Sequence, residues 1–120
     1  MKVLFDQNVP RPLERFLVGH DVKRAAVGWA ELKNGGLLAA AENAGFDVLL
    51  SGDKTIRYEQ NMTGRKIALV YMSDNHWPVV KHHVAAISQA IEQVAPGEVR
   101  AVYCGTFIPR KFQTPSEPPV

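Results

Sequence analysis

The sequence has little that would crosslink it or anchor it in a membrane. Its one cysteine, Cys104, excludes a disulfide within the chain and is typical of a protein kept in a reducing compartment. No apolar run approaches the roughly 18 residues that a membrane span needs. Asp6 interrupts the first apolar run, which a signal peptide would keep unbroken. We therefore expect a cytoplasmic protein without membrane contact.

Several common catalytic signatures are also missing. Neither common glycine-rich phosphate-binding pattern occurs, and Ser51 lacks the flanking residues of a nucleophile elbow. His82 and His83 are adjacent, so a helix would point them in different directions, which disfavours a zinc site. The length of 120 residues and the net charge of +2 fit one domain that permits, without requiring, a nucleic-acid partner. We expect this domain at residues 1–108, followed by an extended, proline-rich tail at residues 109–120.

Short apolar segments alternate along the chain with helical patterns. The predicted strands lie at residues 2–5, 20–27, 47–50, 66–72 and 98–104. The predicted helices begin near Pro10 and at Asn34, and the longest runs over residues 78–95. In the first helix, Leu13, Phe16 and Leu17 are expected to face the core. Because the strands are apolar on both faces, the pattern predicts an α/β protein, a three-layer α/β/α sandwich around a mainly parallel sheet of four or five strands.

Two aspartates follow predicted strands, Asp6 after the first and Asp53 after the third. Ligands of such sheets bind beyond the carboxyl ends of the strands, so both side chains are expected at the same rim. If the two strands are neighbours or nearly so, the two carboxylates can converge on one cation. Two carboxylates suit Mg²⁺ or Mn²⁺, which can activate water and neutralise the charge of a phosphodiester. Either aspartate alone would more often be a helix cap than a metal ligand.

Basic residues follow the second aspartate in the sequence. Lys54 is the next residue, Arg57 comes shortly after it, and Arg65 and Lys66 come later. They have the charge needed to hold the phosphates of a nucleic acid. A solvated surface loop would have the same composition, so both interpretations stay open at this point.

Three segments resemble, in order and spacing, the PIN-like domain family related to bacterial PIN-domain toxins. These segments are VLFDQNVP, GWAELKNGGLLAAAENAGFDVLLSGDK and RYEQNMTGRKIALV, within residues 1–80. The resemblance implies a Mg²⁺- or Mn²⁺-dependent ribonuclease, the toxin of a toxin–antitoxin pair, with RNA as substrate and a cognate antitoxin protein as partner. It matches Asp6 and Asp53 to the first and last of the clustered acids of the family. It matches Asn8 to a polar position beside the first acid.

The chain departs from this pattern at three positions. Gly36 stands where relatives usually carry an acid, Gln7 where glutamate is common, and Thr55 where aspartate or asparagine is frequent. Glu31 is the candidate that could replace the missing catalytic acid, although a surface charge would look the same. Asp74 either contributes to the same rim or belongs to the turn before the longest helix.

Three functions therefore remain as hypotheses from the sequence. The first is the metal-dependent ribonuclease, and the second is a weakened PIN-like domain that binds RNA or a protein without cleaving. The third is a receiver-like domain, with Asp53 as phosphoacceptor and Ser73 as the switch hydroxyl. A receiver would carry a pair of acids where this chain has the lone Asp6. The oligomeric state is open, and a homodimer is compatible with the sequence.

Overall fold

The protein is built around one sheet of five parallel strands. The computed structural model describes residues 1–24, 34–52 and 62–104. The strands are β1 (Lys2–Phe5), β2 (Asp21–Arg24), β3 (Val48–Ser51), β4 (Ala68–Met72) and β5 (Val99–Val102). They lie in the order β2-β1-β3-β4-β5, and every neighbouring pair is parallel. The predicted α/β class is confirmed, with five strands and no antiparallel pair in the described parts of the chain.

Helical segments connect most of these strands. They are a 3-10 helix (Arg11–Phe16), α1 (Asn34–Asn43), α2 (Trp77–Val80), a 3-10 turn (Lys81–His83) and α3 (Val84–Gln93). The first predicted helix is therefore a 3-10 helix, a form that occurs mostly in short pieces. The long helix predicted over residues 78–95 has the right position but is divided into three segments. None of the helices in these parts of the chain is long and apolar enough to cross a membrane.

Alternate residues of the strands supply two hydrophobic cores, one on each face of the sheet. One core joins the sheet to the 3-10 helix and α3, through Val3, Phe5, Leu50, Val70, Leu13, Leu17, Ile87 and Ile91. The other joins the sheet to α1, through Leu4, Leu49, Leu69, Leu37, Leu38 and Ala41. Helices on both faces of a two-sided sheet make the predicted three-layer sandwich.

Phe16 is the clearest error in the predicted core. Its side chain is 53% exposed, whereas Leu13 and Leu17 are buried. Leu17, the residue directly after the 3-10 helix, takes the inward position, and Phe16 stacks instead on the ring of Trp77. The pattern of apolar residues placed three side chains on one face, but only Leu13 in the helix and Leu17 after it are buried.

The strand order fixes where a ligand would bind. The chain moves from β1 to β2 on one side, and then returns past β1 to β3 on the other side. In doubly wound sheets of this order, ligands bind at the carboxyl ends of β1 and β3, where the direction of winding reverses. We call this edge the carboxyl rim. Asp6 follows β1 there, and Gly52 follows β3.

Candidate functional site

The carboxylate of Asp6 is held between the ends of β1 and β3. The Asp6 backbone N–H donates to the carbonyl oxygen of Leu50 at 2.9 Å, which extends the pairing of the strands by one residue. The Oδ1 atom accepts a hydrogen bond from the backbone N–H of Gln7 at 2.8 Å. The Oδ2 atom accepts one from the hydroxyl of Ser51 at 3.0 Å, and Ser51 is fully buried. The orientation of this carboxylate is therefore set by its neighbours.

This arrangement leaves Asp6 able to bind a cation. A carboxylate has about four lone-pair positions. Within the described residues, Gln7 and Ser51 are its hydrogen-bond partners and use one position on each oxygen. Hard divalent cations prefer oxygen ligands of this type, and such ligands are usually oriented by a neighbouring hydrogen bond like that of Ser51.

Asn8 and Gly52 form a second link between the same two strands. The Oδ1 atom of Asn8 accepts a hydrogen bond from the backbone N–H of Gly52 at 2.9 Å. A Cβ atom at Gly52 would lie 2.9 Å from the Cβ atom of Asn75 and 3.4 Å from Asn8 Oδ1. Glycine is needed here because the chain leaves β3 between the loops that follow β1 and β4. Asp6, Asn8 and the exit of β3 thus share one part of the carboxyl rim.

Four other residues expected at the site lie outside the described residues. They are Glu31, Asp53, Lys54 and Arg57. Asp53 is the residue directly after Gly52 in the sequence. The boundary between the domain and its proline-rich tail also lies outside the described residues.

Arg65 and Lys66 lie at the wrong edge of the sheet for the expected role. They precede β4, and the Lys66 backbone N–H donates to Glu42 Oε2 in the last turns of α1. This position is at the amino end of the parallel strands, opposite the carboxyl rim. Of the two interpretations left open for Arg65 and Lys66, a phosphate contact beside Asp6 does not fit this position, because both residues lie at the edge opposite the carboxyl rim.

Asp74 belongs to the turn before α2. Its Oδ1 atom accepts hydrogen bonds from the backbone N–H of His76 at 2.8 Å and lies 2.7 Å from His76 Nδ1. Burial acts to raise the pKa of Asp74, but these hydrogen bonds outweigh it and lower the pKa below its ordinary value. Of the two interpretations of Asp74, the structure shows the turn.

Two residues of the carboxyl rim were missed by sequence reasoning. Ser51 was considered only as a nucleophile, although a serine that ends a fully apolar strand next to an acid suggests a hydrogen bond between strands. Arg24 ends β2 beside β1, and its Nη2 atom donates to the carbonyl oxygen of Val9 at 2.9 Å. A basic residue at the carboxyl end of a neighbouring strand was the signal for its position.

The described part of the rim does not contain a complete metal site. No group of three His, Cys, Asp or Glu side chains within residues 1–24, 34–52 and 62–104 can hold a metal ion. The first turn of α1, which contains Gly36, carries no acid.

The fold and the rim define a doubly wound α/β domain with an oriented carboxylate at its switch point. No family model, curated protein or solved structure matches this chain. Membership of the PIN-like family therefore stays a prediction.

Proposed function

We propose that this protein is a metal-dependent ribonuclease of the PIN-like type. The observation that carries the proposal is the Asp6 carboxylate, fixed by Gln7 and Ser51 at the carboxyl ends of β1 and β3. This is the place where sheets of this order bind ligands. Asn8 adds a second oriented polar side chain there. Fold alone does not determine function, so the proposal depends on this local chemistry and on the sequence resemblance.

The proposal gives each candidate residue a role. Asp6 and Asp53, with Glu31 as a third acid, would hold Mg²⁺ or Mn²⁺, which activates water and neutralises phosphodiester charge when bound. Ser51 would keep the Asp6 carboxylate in the orientation that the cation needs. Lys54 and Arg57 would contact the flanking phosphates.

The test is cleavage of a labelled single-stranded RNA, measured with added Mn²⁺ or Mg²⁺ and with EDTA. Cleavage should require the cation, and Asp6→Asn should abolish it because a carboxylate ligand is lost. Asp21→Asn is the matched control, since Asp21 is an exposed acid at the amino end of β2. Loss of cleavage in both variants, or in neither, would refute the role given to Asp6.

The same assay tests the missing acid. Gly36 is exposed and lies in the first turn of α1, where the helix dipole favours negative charge. Gly36→Asp should therefore increase cleavage at low Mn²⁺ without loss of thermal stability. An active wild type that Gly36→Asp leaves unchanged would indicate that Glu31 already supplies the third ligand, and Glu31→Gln should then abolish cleavage.

The proposal includes a biological role as the toxin of a toxin–antitoxin pair. Expression of the protein alone should then arrest bacterial growth, because cleavage of cellular RNA stops translation. Asp6→Asn should remove this effect, and co-expression of a cognate antitoxin protein should suppress it. Arrest by Asp6→Asn equal to that of the wild type would contradict the role.

A second function is binding of RNA or of a protein without cleavage. One observation favours it, the absence of an acid in the first turn of α1, where Gly36 stands. The two functions separate in one comparison, because a binding domain would retain RNA or its protein partner in EDTA and leave the RNA intact in Mn²⁺. The strand order does not discriminate against the receiver-like hypothesis, since receiver domains share it.

A further inference from the structure

Arg24 is held in a fixed position beside the site. It ends β2, and its register partner is Phe5, the residue before Asp6. The Nη2 atom donates to the Val9 carbonyl oxygen at 2.9 Å, and the Cζ atom lies 5.5 Å from the centre of the Phe5 ring. These two contacts fix the orientation of the guanidinium plane.

The described residues compensate the charge of Arg24 only in part. A guanidinium group has five N–H donors, and the described residues accept one hydrogen bond from it. None of the ion pairs formed by these residues includes Arg24. Burial lowers the pKa of Arg24, and the like charge of Arg11 lowers it further, against a smaller opposite effect of Glu14. A bound anion would relieve this repulsion and use the remaining donors.

An aromatic pair, the exposed Phe16 and the partly buried Trp77, lies at the far end of the 3-10 helix that Arg11 begins. Phe16, the last residue of that helix, stacks on Trp77 with ring centres 5.6 Å apart and an angle of 29° between the rings. Phe16 is 53% exposed. Trp77 begins α2, directly after the loop that leaves the carboxyl rim at β4. Six residues of 3-10 helix span about 12 Å, which separates Phe16 from Arg11 along this helix.

We propose that Arg24, Arg11, Phe16 and Trp77 form a binding path for single-stranded RNA that leads to Asp6. The two arginines bind phosphate oxygens, and a base stacks on the exposed ring of Phe16, which Trp77 supports from its other side. This inference rests on the proposed function and adds to it the residues that bind the RNA. The guanidinium fork matches phosphate, and exposed aromatic rings bind unpaired bases. An acidic protein segment would use the arginines but leave the aromatic pair without a role.

Binding is measured by fluorescence anisotropy of a labelled single-stranded RNA in EDTA, where metal-dependent cleavage cannot occur. Arg24→Gln and Arg11→Gln should each weaken binding about tenfold, because a charge-assisted hydrogen bond to phosphate is lost. Each should also reduce the slope of log affinity against log salt by about 0.7. Arg24→Lys, which keeps the charge but not the fork, should bind more weakly than wild type and better than Arg24→Gln.

The matched control is Lys23→Gln. Lys23 is the neighbour of Arg24 on β2, its side chain is 63% exposed, and its loss changes the net charge by the same amount. It should leave binding nearly unchanged. Melting temperatures of all variants establish that they are folded, and Arg11, which is exposed, provides a test independent of the packing of Arg24.

Stacking is tested separately. The chain has two tryptophans, so Trp29→Phe leaves Trp77 as the single tryptophan, whose fluorescence is then followed selectively. RNA should quench its fluorescence, and Phe16→Ser should weaken RNA binding about tenfold with an unchanged salt slope, because stacking is not ionic. Duplex RNA of the same sequence should bind more weakly, since its bases are already stacked. Single-stranded DNA shows in the same assay how much the 2′-hydroxyl contributes.

The outcomes separate this inference from the proposed ribonuclease function. Equal effects of Lys23→Gln and Arg24→Gln, an unquenched Trp77, or no RNA binding by the wild type would overturn the binding path. Cleavage that the Arg24, Arg11 and Phe16 variants leave unaltered would overturn the path and leave the nuclease standing. RNA binding that depends on these residues, without cleavage in any metal, would support the path and overturn the nuclease.

Discussion

The hydroxyl group of Ser51 should stabilise the fold and orient the candidate metal ligand at once. It donates to Asp6 Oδ2 at 3.0 Å from a fully buried position. A hydrogen bond to a charged group contributes about 1.5 to 3 kcal/mol to the free energy of unfolding. Asp6 is only partly buried, so water can replace the lost donor in part. We therefore expect Ser51→Ala to lower the free energy of unfolding by about 1.5 kcal/mol, the lower end of that range.

Urea unfolding measures this change. With an m-value of about 1 to 3 kcal/mol/M, the midpoint should fall by about 0.5 to 1.5 M. Ser73→Ala is the matched control, because Ser73 also follows a strand at the carboxyl rim, but its hydroxyl accepts the backbone N–H of Cys104 at 2.7 Å. Both variants should lose stability. Only Ser51→Ala should lose metal-dependent cleavage, by about 10- to 100-fold, as expected when a partner that orients a ligand is removed.

Two results would refute this reasoning. An unfolding free energy of Ser51→Ala within about 0.5 kcal/mol of wild type would place it among ordinary surface substitutions, and the hydroxyl would not hold the carboxylate. Equal losses of cleavage in Ser51→Ala and Ser73→Ala would show that the rim as a whole was disturbed, rather than the orientation of Asp6.

Two further predictions concern the stability of the fold, one at the carboxyl rim and one at the opposite edge of the sheet. Gly52→Ala should lower the free energy of unfolding by about 1 to 3 kcal/mol, because the new Cβ atom would lie 2.9 Å from Asn75 Cβ. Urea unfolding measures this change, and an unchanged midpoint would show that the loop moves aside without cost. The pKa of Glu42 is lowered mainly by hydrogen bonds from the backbone N–H groups of Lys66 and Ile67. A lowered carboxylate pKa stabilises the fold above the unfolded-state pKa, and this contribution disappears as pH falls through the folded-state pKa. Wild type should therefore melt at a higher temperature than Glu42→Gln at pH 7, with the difference shrinking in acid; a difference that is independent of pH would contradict the assignment.

The sequence predicted the fold because the apolar pattern of the central strands β1, β3 and β4 is unambiguous. Val48, Leu49 and Leu50 are consecutive and all buried, as expected of a strand covered on two faces. Gly45 ends α1 at a positive φ of 84°, the conformation that glycine adopts most easily. The error at Phe16 has a different origin, since periodicity alone does not distinguish an α-helix from a six-residue 3-10 helix.

The site was predicted less completely, because its contacts depend on which strands are neighbours. The sequence shows that Asp6 follows a strand, but the hydrogen bond from Ser51 exists only because β1 pairs with β3. The same pairing order places Arg24 on the other side of β1. Arg65 and Lys66 follow Asp53 in the sequence, but they lie before β4, at the amino end of the strands, and the sequence alone does not show this.

The order of side chains along the carboxyl rim gives the proposed substrate a direction. From β2 to β3, the rim presents the cation Arg24, then the carboxylate of Asp6, then the buried hydroxyl of Ser51. Beyond β3, Asp74 is occupied by its hydrogen bonds with His76. A phosphodiester that reaches a cation on Asp6 can meet the positive charge of Arg24 at β2, whereas the turn after β4 presents the carboxylate of Asp74. RNA would therefore approach over β2 and the 3-10 helix, which ends at the exposed ring of Phe16.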